Sequence, residues 1–160
     1  MFAALSEFVR IDFPKDRFAR EDNQFDAAIA GVTDMGAVKL GKILGIPNYN
    51  PVIADPVPGM EVIKSGRTTG VTTGHVTAVG VHGVQINYGS EANPIIATFN
   101  DTIEIIGDGA QPFSLPGDSG SVVLEKATGK PVALLFAGDG RTTTTCSFGG
   151  VCRHFQVEPV

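Results

Sequence analysis

The sequence lacks the features that mark nucleic-acid-binding, membrane-spanning and disulfide-bonded proteins. Its formal net charge is −5 with no basic block, which argues against nucleic acid or an anionic membrane surface as a partner. No apolar run approaches the length that spans a bilayer, and the longest, near Val132–Ala137, is typical of a buried strand. Met1–Leu5 is followed at once by Ser6 and Glu7, which is not the pattern of a signal peptide, and the sequence leaves the localisation open.

Cysteine and histidine are scarce as well. The two cysteines, Cys146 and Cys152, both lie near the C-terminus, where they either close one small loop or remain free thiols. No group of His, Cys and Asp residues has the spacing of metal ligands, so we expect neither a metal nor another cofactor. No histidine precedes His75.

Glycine, proline and short β-branched runs are abundant, and together they predict an all-β protein. The chain has 20 Gly and 10 Pro, and its apolar runs are short and separated by turn residues, as in an antiparallel barrel or sandwich. Helical spacing of Val151 and Phe155 predicts one short C-terminal helix, from about Phe148 to Gln156. The strands expected after residue 60 are Val62–Ser65, Val71–Val79, Val84–Tyr88, Ile95–Phe99, Thr102–Ile106, Ser121–Glu125, Val132–Ala137 and Arg141–Thr145.

Residues 41–59 contain four prolines without sustained periodicity, and we interpret them as a linker between two units. The first unit, residues 1–45, contains two strand patterns, one from Leu5 to Phe13 and one from Asp26 to Val32. The second unit, residues 46–160, contains the remaining strands and the helix.

The stretch Leu115–Val123 places a serine in a tight turn between two glycines. Gly117 and Gly120 have no Cβ, so they let the backbone fold closely around Ser119. Such a turn can aim the N–H groups of Gly117 and Ser119 at one point, where they would stabilise an oxyanion while the Ser119 hydroxyl acts as the nucleophile. The alternative is an ordinary surface loop, because Pro, Gly, Asp and Ser all favour turns.

Three stretches of the sequence resemble the chymotrypsin-like (trypsin-like) serine peptidases, in particular their bacterial branch. In family order, they are Asn23–Ala30, which would carry the orienting Asp26, the hairpin Ser65–Ala78, and the nucleophile turn Gly117–Gly120. The resemblance implies a chymotrypsin-like antiparallel β-barrel fold, with the second barrel complete and the first barrel partial. It also implies hydrolysis of peptide bonds through an acyl-enzyme, in which Ser119 attacks and Asp26 orients the base.

In this family the base is a histidine that precedes the aspartate, and this sequence has no histidine ahead of Asp26. The chain therefore resembles a peptidase truncated at its amino terminus, for which a missing segment or a partner chain would complete the first barrel. His75, His82 and His154 fall where the family fold gives no access to Ser119, so we interpret them as ordinary surface or half-buried side chains. We expect the isolated chain to be inactive.

The resemblance also assigns substrate-binding positions. Phe136, Ala137 and Gly138 match the strand that pairs with substrate and forms one wall of the specificity pocket, and Phe113 falls at the pocket base. An apolar base disfavours cleavage after Lys or Arg. Core packing is the alternative interpretation for both phenylalanines.

One structural ion pair is implied as well. Arg67 corresponds to the arginine that, in bacterial members, pairs with the carboxylate beneath the nucleophile turn, here Asp118. The pair would hold the amides of Gly117 and Ser119 in place, because a buried carboxylate without a partner is costly. Lys64 stands where a cysteine is common in relatives.

Two functions remain open from the sequence. The first is a serine endopeptidase domain that acts on a peptide or protein substrate. The alternative is a non-catalytic β-barrel peptide-binding module, a pseudoprotease that holds an extended peptide by strand addition.

Overall fold

Ten strands and one α-helix make up the described part of the chain, which is residues 3–13 and 23–160 of a computed structural model. The strands are β1 (Ala3–Phe8), β2 (Ala28–Val32), β3 (Glu61–Gly66), β4 (Gly70–Val81), β5 (Val84–Asn87), β6 (Ile96–Phe99), β7 (Thr102–Gly107), β8 (Val122–Glu125), β9 (Pro131–Gly138) and β10 (Thr142–Ser147). The helix α1 (Phe148–Phe155) follows β10, and a 3₁₀ turn covers Met35–Ala37. The strands expected after residue 60 all form, with bounds that differ by a few residues.

Six antiparallel strands close into a barrel in the order β10-β7-β4-β3-β8-β9. Two further two-stranded sheets lie outside it, one formed by β1 and β2 and the other by the β5–β6 hairpin. The barrel closes because side chains alternate along each strand, so that one set fills the interior. In β3, for example, Val62 and Lys64 are buried whereas Glu61 is exposed.

An apolar cluster fills the barrel. Its buried members are Val62, Val76, Ile103, Ile105, Phe113, Val123, Val132, Ala133 and Leu135. They come from strands β3, β4, β7, β8 and β9 and from the segment before the nucleophile turn. This cluster fixes the strands from which that turn projects.

A second apolar cluster joins the first part of the chain to the barrel. Its buried members are Ala27, Ala97, Phe99, Phe136, Cys146, Val151 and Phe155, and half-buried Val9, Ile11 and Ile29 pack against it. The strand pattern from Leu5 to Phe13 is shorter in the structure, because β1 ends at Phe8 and a register shift lies between Leu5 and Glu7. Val9 then donates its N–H to the carbonyl of Ala27 (2.8 Å). The cluster therefore brings the stretch that contains Asp26 onto the barrel.

The helix α1 closes one side of this second cluster. It begins where Ser147 accepts a hydrogen bond from the N–H of Gly150 (3.1 Å), and it ends at Gln156 in the left-handed conformation. A Cβ on Gly150 would lie 2.6 Å from the ring of Phe25, so glycine allows the aromatic ring to pack on the helix. None of the helices in the described residues is long and apolar enough to cross a membrane.

Candidate functional site

Ser119 is exposed in a turn that is tied to strand β9. The N–H of Gly120 donates to the carbonyl of Leu135 (2.8 Å), and the N–H of Leu135 donates to the carbonyl of Ser121 (3.0 Å). The hydroxyl of Ser119 donates to the carbonyl of Phe136 (3.0 Å). Gly120 has a positive φ of 86°, a conformation that glycine adopts at no steric cost. The turn therefore presents the serine hydroxyl beside the C-terminal half of β9.

Two backbone N–H groups in this turn have no acceptor among the residues that the structure describes. They belong to Gly117 and Ser119, whereas the intervening N–H of Asp118 donates to the carbonyl of Leu115 (3.0 Å). Two free N–H groups in one turn, one of them belonging to the exposed serine and the other to the residue two positions before it, are the kind of donors that stabilise an oxyanion. These are the two groups that the sequence singled out.

Thr68 fixes the orientation of one of these groups. Its hydroxyl donates to the carbonyl oxygen of Pro116 (2.9 Å), and the peptide that links Pro116 to Gly117 is trans. In a trans peptide the C=O and the N–H point in opposite directions. The N–H of Gly117 therefore points away from Thr68.

Glycine is required at position 117 for two reasons. Its φ is +101°, and a Cβ there would lie 2.5 Å from both a guanidinium nitrogen of Arg67 and the hydroxyl of Thr68. Both side chains therefore lie against the outer side of the turn, and Thr68 is hydrogen-bonded to it. A substitution would displace them or the turn.

Asp118 lies buried beneath the turn, and its carboxylate is fully hydrogen-bonded. Oδ1 accepts from the N–H groups of Thr68 (2.7 Å) and Thr69 (3.2 Å), while Oδ2 accepts from the hydroxyl of Thr69 (2.7 Å) and the N–H of Leu115 (3.0 Å). Burial alone would raise the pKa of Asp118, but these hydrogen bonds to the charged form outweigh it and hold the pKa well below its usual range. The carboxylate is therefore ionised and anchors the turn to the β3–β4 hairpin.

The cation that pairs with Asp118 is Lys64, and the expected pair with Arg67 is wrong. Lys64 Nζ lies 3.4 Å from Asp118 Oδ2, and the side chains of both residues are 0% exposed. Lys64 also donates to the hydroxyl of Thr69 and to the carbonyl of Gly70 (3.2 Å). Arg67 is exposed in the turn between β3 and β4, and its guanidinium lies beside Gly117. The alternation of β3 decides this, because it points Lys64 into the barrel with Val62, whereas Arg67 has left the strand.

Desolvation shifts the pKa values of the two members of this ion pair in opposite directions. Burial lowers the pKa of Lys64, and the attraction of Asp118 and the hydrogen bond to it oppose that shift. Glycine at position 66 makes room for the carboxylate, since a Cβ there would lie 2.4 Å from Asp118 Oδ1. Gly66 of the hairpin motif is therefore needed for contact with Asp118.

Asp26 is bound to a tyrosine. Tyr88 Oη donates to Asp26 Oδ2 at 2.6 Å. Burial, followed by the hydrogen bond to Asp26, raises the pKa of Tyr88 far above its usual value, so the phenol stays neutral and remains a donor. One carboxylate oxygen of the predicted orienting aspartate is therefore already occupied.

A row of aromatic rings links Asp26 to the serine. The ring of Tyr88 lies 6.4 Å from that of Phe99, which lies 4.9 Å from the ring of Phe136, and the carbonyl of Phe136 accepts from Ser119. Asn23, three residues before Asp26, donates to the carbonyl of Thr98 (3.0 Å) and so ties this stretch to β6. The structure thus brings both predicted catalytic residues to one aromatic cluster.

A cavity of about 210 Å³ opens beside Ser119. The wall includes Phe136, Ala137 and Gly138, as the resemblance implied, together with Ser114, Leu115, Pro116 and Leu135. Phe113 is not in the wall: it is 1% exposed in the barrel core, where its ring lies 5.7 Å from Lys64 Nζ. The expectation that Phe113 forms the pocket base is therefore wrong, and its alternative interpretation as a core residue is correct.

The three histidines hydrogen-bond elsewhere or pack on rings. His75 Nδ1 lies 3.1 Å from Asp108, and His82 Nε2 lies 3.3 Å from Asp101. His154 packs against the ring of Phe155 at 5.0 Å. Within the described residues, no histidine is hydrogen-bonded to Ser119 or to Asp26.

The cysteines offer no alternative nucleophile. Cys146 and Cys152 are buried free thiols, which settles the two possibilities that the sequence left open. Burial raises the pKa of Cys146 to about 12 and also raises that of Cys152, so both stay protonated and unreactive. Within the described residues, no three His, Cys, Asp or Glu side chains are grouped as metal ligands would be.

Comparison with known proteins decides the family. The family model of the Nal1 C-terminal domain matches residues 1–146. The chain belongs to the Nal1 C-terminal domain family. Protein NARROW LEAF 1 of Oryza sativa subsp. japonica is 30% identical over 149 residues. The match covers 89% of this chain but only 23% of that protein, so the chain spans about a quarter of the curated relative that it matches.

Solved structures show that this Nal1-family domain has the chymotrypsin-like fold. A glutamic acid-specific serine protease, described as using a histidine triad in substrate binding, matches with a TM-score of 0.66 and 23% identity, over 99% of this chain and 74% of the other. Cellulomonas bogoriensis chymotrypsin matches with a TM-score of 0.65 and 19% identity, over 92% and 74% of the chains. Nocardiopsis protease matches with a TM-score of 0.62 and 18% identity, over 90% and 72%. The predicted all-β fold, with an antiparallel barrel and a C-terminal helix, is confirmed.

Three contacts at the candidate site of this Nal1-family domain were missed in the sequence. Lys64 carries a detectable signal, because a lysine two residues after Val62 in a strand faces the interior and needs a carboxylate partner. Thr68 belongs to a recognisable hairpin motif, but its bond to Pro116 depends on tertiary contact. Tyr88 is 62 residues from Asp26, and no local pattern relates them.

Proposed function

We propose that this domain carries the nucleophile of a serine endopeptidase. The observation that carries the proposal is the pair of N–H groups, of Gly117 and of Ser119 itself, that have no acceptor within the described chain in the turn that exposes the Ser119 hydroxyl. A surface loop without function has no need for a fully buried, ionised Asp118 that locks such a turn. The chymotrypsin-like fold agrees with this chemistry.

The proposed reaction is acyl transfer through Ser119. Its Oγ attacks the carbonyl carbon of the scissile peptide bond, and the oxyanion receives hydrogen bonds from Gly117 and Ser119. A base accepts the hydroxyl proton and later gives it to the leaving amine, and water then releases the acyl group. Asp26 would orient the base through its other carboxylate oxygen, Oδ1, while Tyr88 keeps its hydrogen bond to Oδ2. The strand 136–138 would align the substrate backbone.

The base must come from a residue other than His75, His82 and His154, since within the described residues none of the three is hydrogen-bonded to Ser119 or to Asp26. We propose that another segment or a partner chain supplies it by completing the sheet of β1 and β2. Exposed apolar side chains of this sheet support a covering partner there: Phe8 of β1 is 66% exposed and Val32 of β2 is 41% exposed. By this account the chain alone turns over peptides no faster than its Ser119→Ala variant.

The proposal is tested by supplying a base in solution. The chain is treated with a fluorophosphonate probe with and without imidazole, and the labelled residue is identified by mass spectrometry. We expect labelling of Ser119 only with imidazole. Ser121→Ala is the matched control, because Ser121 lies two residues away and donates to the carbonyl of Asp118 (2.6 Å); it should be labelled like the wild type, whereas Ser119→Ala should not.

The alternative proposal is a non-catalytic peptide-binding module. The hydrogen bond of 2.6 Å between Tyr88 and Asp26 favours it, because it gives one oxygen of this carboxylate a partner within the domain that is not a base. Absence of Ser119 labelling in both conditions, together with binding of extended peptides along β9, would support this function and contradict the first. Labelling of Ser119 without imidazole would show that the chain contains its own base.

A further inference from the structure

The cavity beside Ser119 has an uncharged wall with one buried polar position. Its apolar wall residues include Leu115, Pro116 and Leu135, and no charged side chain lines it. Ser114 supplies the side-chain hydroxyl at that position, and it is only 5% exposed. A Cβ on Gly138 would lie 3.4 Å from Ser114 Oγ and 2.9 Å from the carbonyl of Thr142, so glycine keeps this hydroxyl accessible from the cavity.

Ser114 belongs to a buried pair of hydroxyl groups. Its Oγ lies 2.6 Å from Oγ1 of Thr143, which is 2% exposed. Two hydroxyl groups carry two hydrogens, and one hydrogen bond between them uses one. Neither hydroxyl has another acceptor among the described residues. When Thr143 donates to Ser114, the hydrogen of Ser114 is free to donate into the cavity.

We propose that this cavity selects glutamine at the residue whose carbonyl Ser119 attacks, an inference that rests on the proposed peptidase site. The glutamine methylenes would contact Leu115, Pro116 and Leu135, and its amide oxygen would accept the free hydrogen of Ser114. A site that donates a buried hydrogen bond discriminates against a ligand without the acceptor.

Charged residues are excluded by the same wall. Lysine and arginine meet no carboxylate there, and glutamate meets no cation to compensate the desolvation of its carboxylate. Leucine fits the apolar part but leaves the Ser114 hydroxyl without an acceptor. Glutamine satisfies both parts of the cavity.

The inference is tested by binding, which needs no catalytic base. Peptides of one sequence that end in Gln, Leu, Glu or Lys with a free carboxylate are titrated into the isotope-labelled chain and followed by NMR. We expect shifts at Ser119 and at residues 136–138, with the Gln peptide binding about tenfold more tightly than the Glu and Lys peptides at pH 7. Lowering the pH to about 4 should strengthen binding of the Glu peptide, because a protonated carboxyl is neutral.

Ser114→Ala separates the hydrogen bond from the shape of the cavity. It should weaken binding of the Gln peptide about threefold to tenfold and leave binding of the Leu peptide within about twofold. The retained binding of the Leu peptide also shows that the variant is folded. Equal affinities of the wild type for all four peptides, or equal losses for Gln and Leu in a folded variant, would overturn the glutamine inference alone. If no peptide shifts Ser119 or residues 136–138, both this inference and the proposed peptide site fail.

Discussion

The buried ion pair under the nucleophile turn leads to a sharp prediction about stability. In Lys64→Met the ammonium is replaced by an apolar group of similar length, and Asp118, which is 1% exposed, loses its only ion-pair partner in the described chain. Removal of one member of a buried pair generally costs about 3–5 kcal/mol, because the other charge stays buried. Because Asp118 keeps four other hydrogen bonds, we expect a cost near the lower limit, about 3 kcal/mol.

The measurement is urea unfolding followed by far-UV circular dichroism, since the chain has no tryptophan. Arg67→Met is the matched control: it removes a cation three positions away that is exposed and has no ion pair within the described residues. We expect it to change the free energy of unfolding by less than about 0.5 kcal/mol. Lys64→Met/Asp118→Asn should recover part of the loss, because the neutral amide leaves no unpaired charge and its oxygen can still accept from the N–H groups of Thr68 and Thr69.

A different ranking would refute this reasoning. If Arg67→Met costs more free energy of unfolding than Lys64→Met, then Arg67 is the partner of Asp118 in solution. If Lys64→Met costs less than about 0.5 kcal/mol, the pair does not hold the turn, because that is the range of an ordinary surface change.

Two further predictions concern the same turn. Hydrogen bonds hold the pKa of Asp118 in the folded state below its unfolded value of about 3.9. The contribution of Asp118 to the free energy of unfolding is therefore complete above about pH 4, and it is lost as the pH falls through the folded pKa. Urea unfolding between pH 5 and 2 should therefore show a steeper loss of stability in the wild type than in Asp118→Asn. If the free energy of unfolding falls with pH equally in both proteins, this prediction is wrong. Thr68→Val removes the hydroxyl that holds the carbonyl of Pro116, so the N–H of Gly117 is no longer oriented. Imidazole-dependent fluorophosphonate labelling of Ser119 should then slow by about tenfold to a hundredfold. The control variant Thr68→Ser keeps the hydroxyl and should be labelled at the rate of the wild type. A similar loss in Thr68→Ser would argue against a role of the hydroxyl.

The sequence by itself was sufficient for the strands of the barrel and for the turn that contains Ser119. Both depend on local patterns: the two-residue alternation of Val, Ile and Thr, and glycines where the backbone needs a positive φ, as at Gly117 and Gly120. The end of β1 was less predictable, because the alternation continues to Phe13 while the pairing with β2 stops at Phe8.

Only the tertiary structure decided which groups meet. Lys64 and Arg67 are close in sequence and both are cations, and the barrel interior selects between them by the face on which each side chain lies. Phe113 is apolar and would suit either a pocket or a core; closure of the barrel places it in the core beside Lys64. The bonds of Tyr88 to Asp26 and of Ser114 to Thr143 join residues 62 and 29 positions apart. Such contacts follow from the packing of distant strands, whereas the sequence patterns report only the direction of each side chain from its own strand.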